Sequence, residues 1–155
     1  MCMLFLTILL AGIAHGADFI DKPNHRWSNK KDPPEVVICD DAKVSEALIY
    51  EALKYWAQYD HVVAKVTRKK CLLALYSNQI RITGERDLDK SRFIGLTELY
   101  IVDDEISSAS IKIDDEYANV KEVVVHEIGH SFGYGHSDDK NIMHRKYIKL
   151  GIKAE

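Results

Sequence analysis

From Glu35 onward, apolar and polar positions fall in blocks that switch between strand and helix periods. Val36-Val37-Ile38-Cys39 is an unbroken apolar run, the pattern of a strand buried on both faces. Asp40 and Asp41 follow as helix caps. Val44, Ala47, Leu48, Ala52, Tyr55, Trp56 and Tyr59 then recur at helical spacing and predict an amphipathic helix with its aromatic stripe in the core. Val62 to Thr67 and Gln79 to Thr83 read as two strands, and Cys71 to Tyr76 as a further strand or a buried connector. Leu96 to Val102 and Ser110 to Ile113 complete the set, on either side of the acidic turn Asp103-Asp104-Glu105. Such an order predicts an α+β (mixed α/β) domain, a twisted and mostly parallel sheet with helices packed on it.

Val120 to Phe132 needs a decision between periods. Val123-Val124-Val125 is β-branched and by itself favours a strand. In a strand, His126 and His130 would stand about 13 Å apart. In a helix they lie one turn apart, about 6 Å along the axis, and can converge on one ion. A helix also aligns Val120, Val124, Ile128 and Ser131 on another face, suited to pack on the sheet. Helix is the reading that uses all these residues.

Ahead of Glu35 the chain changes character. Met1 to Ala14 is apolar apart from Thr7, and no charged side chain precedes Asp18. Ala14-His15-Gly16 puts small residues where a signal peptidase reads, so residues 1–16 are taken as a secretion signal. An uncleaved anchor or a buried N-terminal segment is the alternative, although the run falls short of the roughly twenty residues of a comfortable membrane span. Residues 17–34 are polar, hold all three prolines and read as an extended lead-in or short propeptide, with Trp27 anchoring it to a domain at 35–155. Removal of the signal takes Cys2 and His15 and leaves Cys39 and Cys71, which form one disulfide or stay as two buried thiols.

Composition excludes more than it suggests. At 155 residues, with 46% hydrophobic and 29% charged residues, the chain suits one globular domain with a modest core. A formal net charge of −3 gives no electrostatic case for nucleic acid. Arg68-Lys69-Lys70 reads as a solvated turn or strand end, and the basic tail Arg145, Lys146, Lys149 and Lys153 as solvated too.

The chemistry is concentrated between His126 and His136, where His126, Glu127, His130, Gly133 and His136 spell H-E-x-x-H-x-x-G-x-x-H. Catalytic zinc takes three protein ligands and keeps a position open for water, whereas structural sites are closed by four ligands rich in cysteine, and no cysteine lies nearby. His126 and His130 supply two imidazoles from one helix face. Gly133 can take the left-handed conformation that ends the helix, and Gly135 eases the bend that returns His136 as third ligand. Gly129 inside the helix costs about 1 kcal/mol against Ala, which close approach of another backbone segment would justify. Glu127 is placed as general base and acid. His25 and His61 sit in polar contexts and read as solvated, and His144 is not assigned as a ligand.

With Asn141-Ile142-Met143 following, its methionine seven residues after His136, these positions resemble the metzincin clan of zinc metalloendopeptidases, most closely its matrixin-like members. The resemblance spans Glu35 to Tyr147 and implies a five-stranded, mostly parallel sheet with one antiparallel edge strand and two main helices. It implies a zinc cleft and a very short C-terminal subdomain carrying the Met-turn, with Met143 as an apolar floor beneath the metal. Leu96, Thr97, Glu98, Leu99, Tyr100, Ile101 and Val102 would be the edge strand to which an extended peptide or protein substrate adds. Tyr147, four residues after Met143, would line the pocket or aid the transition state, although the clan's tyrosine stands two after its methionine. The chain departs from the pattern in having only twelve residues after Met143 and no cysteine-switch propeptide. The acidic clusters at 103–105 and 114–116 lack the spacing of a calcium loop, so one zinc ion and no calcium is expected.

The functional expectation is a secreted zinc endopeptidase (periplasmic if the source is bacterial), monomeric, without nucleic acid or lasting membrane association. The alternatives are a zinc-binding module that has lost activity and acts as a binding protein, and a zinc amidase acting on cell-wall crosslinks.

Overall fold

The computed structural model describes residues 20, 22–27, 32–72, 74–86, 88 and 93–154. The apolar start of the chain, with Cys2 and His15, lies outside them, as do residues 17–19 of the lead-in. Nine elements follow in order: β1 (Arg26–Trp27), β2 (Glu35–Cys39), α1 (Glu46–Ala57), β3 (Lys65–Lys69), β4 (Gln79–Glu85), β5 (Gly95–Val102), β6 (Glu105–Asp114), α2 (Lys121–Ser131) and α3 (Tyr147–Leu150).

The strands form one six-stranded sheet in the order β1-β6-β4-β2-β3, with β5 also on β6. Every pairing is parallel except β5 with β6. Because β5 takes one whole flank of β6, β1 and β4 share the other, β1 opposite Glu105 and Ile106 and β4 opposite Ala109 to Asp114. The sheet thus has one strand more than expected, the two-residue β1 contributed by the lead-in. Trp27 anchors that segment as predicted: its indole N–H donates to the Ser131 carbonyl at 3.0 Å. The acidic turn is a tight one, with Asp103 and Asp104 both at positive φ (51° and 63°) between paired Val102 and Glu105.

Side chains alternate across each strand, so the two faces of β2 meet different partners. Val36 and Ile38 join Ile80, Ile82, Ala109, Ile111 and Ile113 in the core beneath the helices. Val37 and Cys39 are equally buried and face the other way. There the β3–β4 connection provides cover: Cys71 is bonded to Cys39 with Cα atoms 5.3 Å apart. The Arg81 guanidinium donates to the carbonyls of Leu72 and Ala74. The cysteine pair is therefore a disulfide. Among its described residues the connection is neither strand nor buried, since Leu72 is 65% and Tyr76 56% exposed. Its apolar composition suggested otherwise, but its backbone is used to satisfy Arg81 and its cysteine to close the bridge.

Helix α1 is shorter than its periodicity predicts. Asp40 and Asp41 do not cap it; Ser45 does, in extended conformation (φ −79°, ψ 150°), its hydroxyl accepting from the Leu48 N–H. Arg68 explains the delay. Its guanidinium donates to the carbonyls of Cys39, Ala42 and Val44, which holds residues 40–44 as a turn and a non-helical exit from β2. Arg68 is thus a tether at a strand end rather than a solvated side chain. The buried stripe is Ile49, Ala52, Tyr55 and Trp56, and the Trp56 indole N–H reaches across to the Val125 carbonyl of α2 at 2.8 Å. Two strand ends also shift, for β3 starts at Lys65 past an exposed Val62, and β6 starts at Glu105 rather than Ser110. No helix among the described residues is long and apolar enough to cross a membrane.

Candidate active site

Helix α2 is buried nearly all round, including Val123, Val124 and Val125, and this burial decides the local contest against their strand preference. Gly129 sits at its tightest point. A Cβ there would lie 2.3 Å from the Trp56 ring and 2.5 Å from the Met143 sulfur. The close approach is thus by two side chains, not by the backbone segment expected. Beyond Ser131 the chain turns at Gly133, which has φ +93°, and its carbonyl accepts the Asn24 N–H of the lead-in at 2.9 Å.

That turn returns His136 toward His126 and His130, and one ring nitrogen from each of the three lies within 4.8 Å of the others. His126 Nδ1 meets the Ile142 carbonyl and His130 Nδ1 the Tyr134 carbonyl, each at 2.7 Å. A carbonyl only accepts, so both Nδ1 atoms carry the proton and both Nε2 atoms present bare lone pairs. Those two Nε2 atoms stand 3.0 Å apart. Two lone pairs at that distance repel unless a cation lies between them, so the residues present fit a metal ion.

The protonation tendencies agree. Burial, then the neighbouring His130, pushes His126 down to about 3, against the Ile142 hydrogen bond. Burial lowers His130 as well. His136 is lowered by burial and then by the charge of Arg145. Neutral imidazoles are the form that ligates.

Glu127 points from the helix toward β5. Burial pushes its carboxyl up to about 7, while the Thr97 hydroxyl pulls the other way by donating to Oε2 at 2.6 Å. Gly95 makes the fit possible, because a Cβ there would lie 2.5 Å from Glu127 Oε1. Sequence reasoning placed Thr97 in the edge strand without this role and passed over Gly95. The available signal was alternation: Gly95, Thr97 and Leu99 share the face turned toward α2.

Met143 is wholly buried against Gly129, and its turn is stapled by polar side chains. Asn141 Oδ1 accepts the Met143 N–H at 2.9 Å, Asn141 Nδ2 donates to Ser137 Oγ at 3.2 Å, and the Ser137 N–H donates to the Met143 carbonyl at 3.0 Å. Tyr147, on α3, lies flat on His126 with ring centroids 4.2 Å apart, and burial raises the proton affinity of its phenol. His144 turns away, its Nδ1 accepting the Lys146 N–H.

A cleft of about 740 Å³ opens over these groups. Of the predicted edge strand, Leu96, Thr97 and Leu99 border it, joined by Phe93, Ile94 and Gly95, which were not predicted. Glu98 is exposed and does not border the cleft, and Tyr100, Ile101 and Val102 are exposed further along the hairpin. The opposite wall is Arg145 to Lys149, so most of the basic tail, exposed as its solvated reading expects, also borders the cleft. His61 departs from its solvated reading. Its ring stacks on Phe132 at 4.4 Å, its Nε2 bonds the Tyr134 hydroxyl at 2.8 Å, and burial pushes it down to about 4.

A mostly parallel sheet, a buried helix bearing two histidines, a turned third histidine and a buried methionine turn together define a zincin-type metallopeptidase architecture. The sequence profile of the Matrixin family matches residues 24–154, and the chain belongs to that family. No curated protein matches it. Among solved structures it is similar to metalloproteinase-II from Bacteroides fragilis, at 14% identity and a TM-score of 0.44. That likeness covers 79% of this chain and 50% of the other, so the chain spans about half the length of that protein.

Proposed function

We propose that this chain is a zinc-dependent endopeptidase that hydrolyses peptide bonds within extended substrates. The observation that carries the reading is the pair of facing, proton-free Nε2 atoms of His126 and His130 with His136 beside them and Glu127 next in the chain. His126, His130 and His136 would hold one zinc ion. Zinc bound there supplies Lewis-acid polarisation of the scissile carbonyl and lowers the pKa of its water to around 7.

The chain's own groups do the rest. Glu127, buried and near neutrality in proton affinity, takes a proton from the attacking water and returns it to the leaving amine. Thr97 holds Oε2, which fixes the carboxylate's direction. An extended substrate adds to β5, exchanging backbone hydrogen bonds, and the cleft walls exclude bulk water from the reacting centre. Tyr147 keeps the His126 ring in place from the side. In this reading residues 1–16 are a secretion signal, 17–34 a lead-in, and the product a secreted monomer; the disulfide suits an oxidising compartment.

The test compares zinc-loaded wild type with Glu127→Ala on a mixed peptide library. Wild type is expected to cleave, and the variant to bind zinc equally while losing about 10²–10⁴ in kcat. Zinc bound by wild type without turnover on any peptide or other amide would sink the enzyme reading.

A further inference from the structure

The geometry points to a substrate class: peptides with an acidic side chain beside the scissile bond, read by Arg145, Lys146 and Lys149. This rests on the cleft being the substrate site proposed above. The cleft has two long walls, residues 93–99 on one side and 145–149 on the other. A strand added to β5 alternates its side chains between the two faces of the sheet. Every second one therefore lies on the face where Thr97 meets Glu127 and enters the cleft that Arg145, Lys146 and Lys149 border. That wall brings three cations into a chain whose net charge is −3.

None of the three makes an ion pair among the described residues, whereas Lys153, the other member of the basic tail, is held by Glu122 at 3.2 Å. Among the described residues their charge is therefore left for a ligand. The acids nearby do not cancel it. Among the described residues bordering the cleft Glu127 is the single acidic one, and its carboxylate is turned to Thr97; Glu98, Asp138 and Asp139 lie off the border. A low-dielectric trough walled by Leu96, Ile148 and Tyr147 focuses the field of such cations on whatever enters it. Recognition by exposed ammonium and guanidinium groups is modest for each pair and accumulates over three.

Two readouts test this. Matched peptides differing only as Glu or Gln at each position flanking the scissile bond are first titrated onto zinc-loaded Glu127→Ala, which binds without turnover. Their kcat/KM values are then measured on wild type. At one position the Glu peptide is expected to bind and react about 5–20-fold better, an advantage that shrinks as salt is raised. Arg145→Ala/Lys149→Ala should bring the ratio to within about twofold, and Arg145→Glu/Lys149→Glu should invert it toward a Lys peptide. Equal binding of Glu and Gln peptides at every position, or a ratio the variants leave unchanged, overturns the inference. Preferential binding of the Glu peptide with no cleavage by wild type would keep the inference and remove the peptidase reading.

Discussion

Gly129 carries two opposed effects. Replacing it with alanine improves helix propensity by about 1 kcal/mol. The added Cβ, however, would meet the Trp56 ring at 2.3 Å and the Met143 sulfur at 2.5 Å, and neither is free to move. Trp56 is tied to Val125 at 2.8 Å, and Met143 is buried with no exposure and bonded through its backbone to Ser137 and Asn141. Overpacking of this kind costs roughly 1–3 kcal/mol or more, so it outweighs the helix gain. Gly129→Ala should therefore lower Tm, and it should weaken zinc binding by displacing Met143 and with it the Ile142 carbonyl that orients His126. Calorimetry and a competitive zinc titration check the two parts. A variant as stable as wild type would show that this packing can yield. The sequence showed that Gly129 interrupts a helix, but its neighbours are 73 positions upstream and 14 downstream, so their identity was out of reach.

Elements were legible where local period and burial agree, and shifted where a distant group intervened. β2 and the motif helix stand where periodicity puts them, because each has one unbroken apolar run or stripe, and the aromatic helix does so apart from its ends. The start of α1 moved because Arg68, from β3, captures three carbonyls of the preceding segment. The β3–β4 connection was misread for a related reason: its apolar residues are spent on the surface while its backbone and Cys71 serve the sheet. The disulfide closes a separation of 32 residues and ties the end of β2 to that connection. On the chain-entropy estimate, loss of a loop closure of this size costs roughly 3–4 kcal/mol. Cys71→Ser should lower the denaturation midpoint accordingly, with the m-value reporting any loosening of the unfolded state. No change in midpoint between oxidised wild type and the variant would show that the bridge does not constrain the unfolded chain.

At the scale of the whole molecule, burial of imidazoles makes stability depend on pH. His61 is shifted from 6.5 to about 4, first by burial, with Asp60 opposing and Arg26 adding to the shift. Between those values the unfolded chain binds a proton that the folded chain does not. The contribution is thus fully present above the unfolded pKa of about 6.5, is lost as pH falls toward about 4, and levels off below it. Replacing His61 with Phe should lower stability near pH 7 by leaving the Tyr134 hydroxyl unpaired, and should flatten the slope between about pH 7 and about pH 5, so that the deficit shrinks as pH falls. Denaturant midpoints at the two pH values measure the slope; parallel curves for wild type and variant would show that His61 does not titrate with folding. The His61 environment was invisible in sequence because Phe132 and Tyr134, which enclose it, are more than 70 positions away. By itself the sequence determined most of the order of strands and helices, from apolar periodicity. Within eleven consecutive residues it also determined the convergence of His126, His130 and His136 and the turn at Gly133, since these follow from helical spacing and backbone freedom. Tertiary structure alone decided that Thr97 and Gly95 hold Glu127, that the cysteines pair, and that most of the basic tail lines the cleft. Each of those depends on packing that joins segments far apart in the chain, and no local pattern records it.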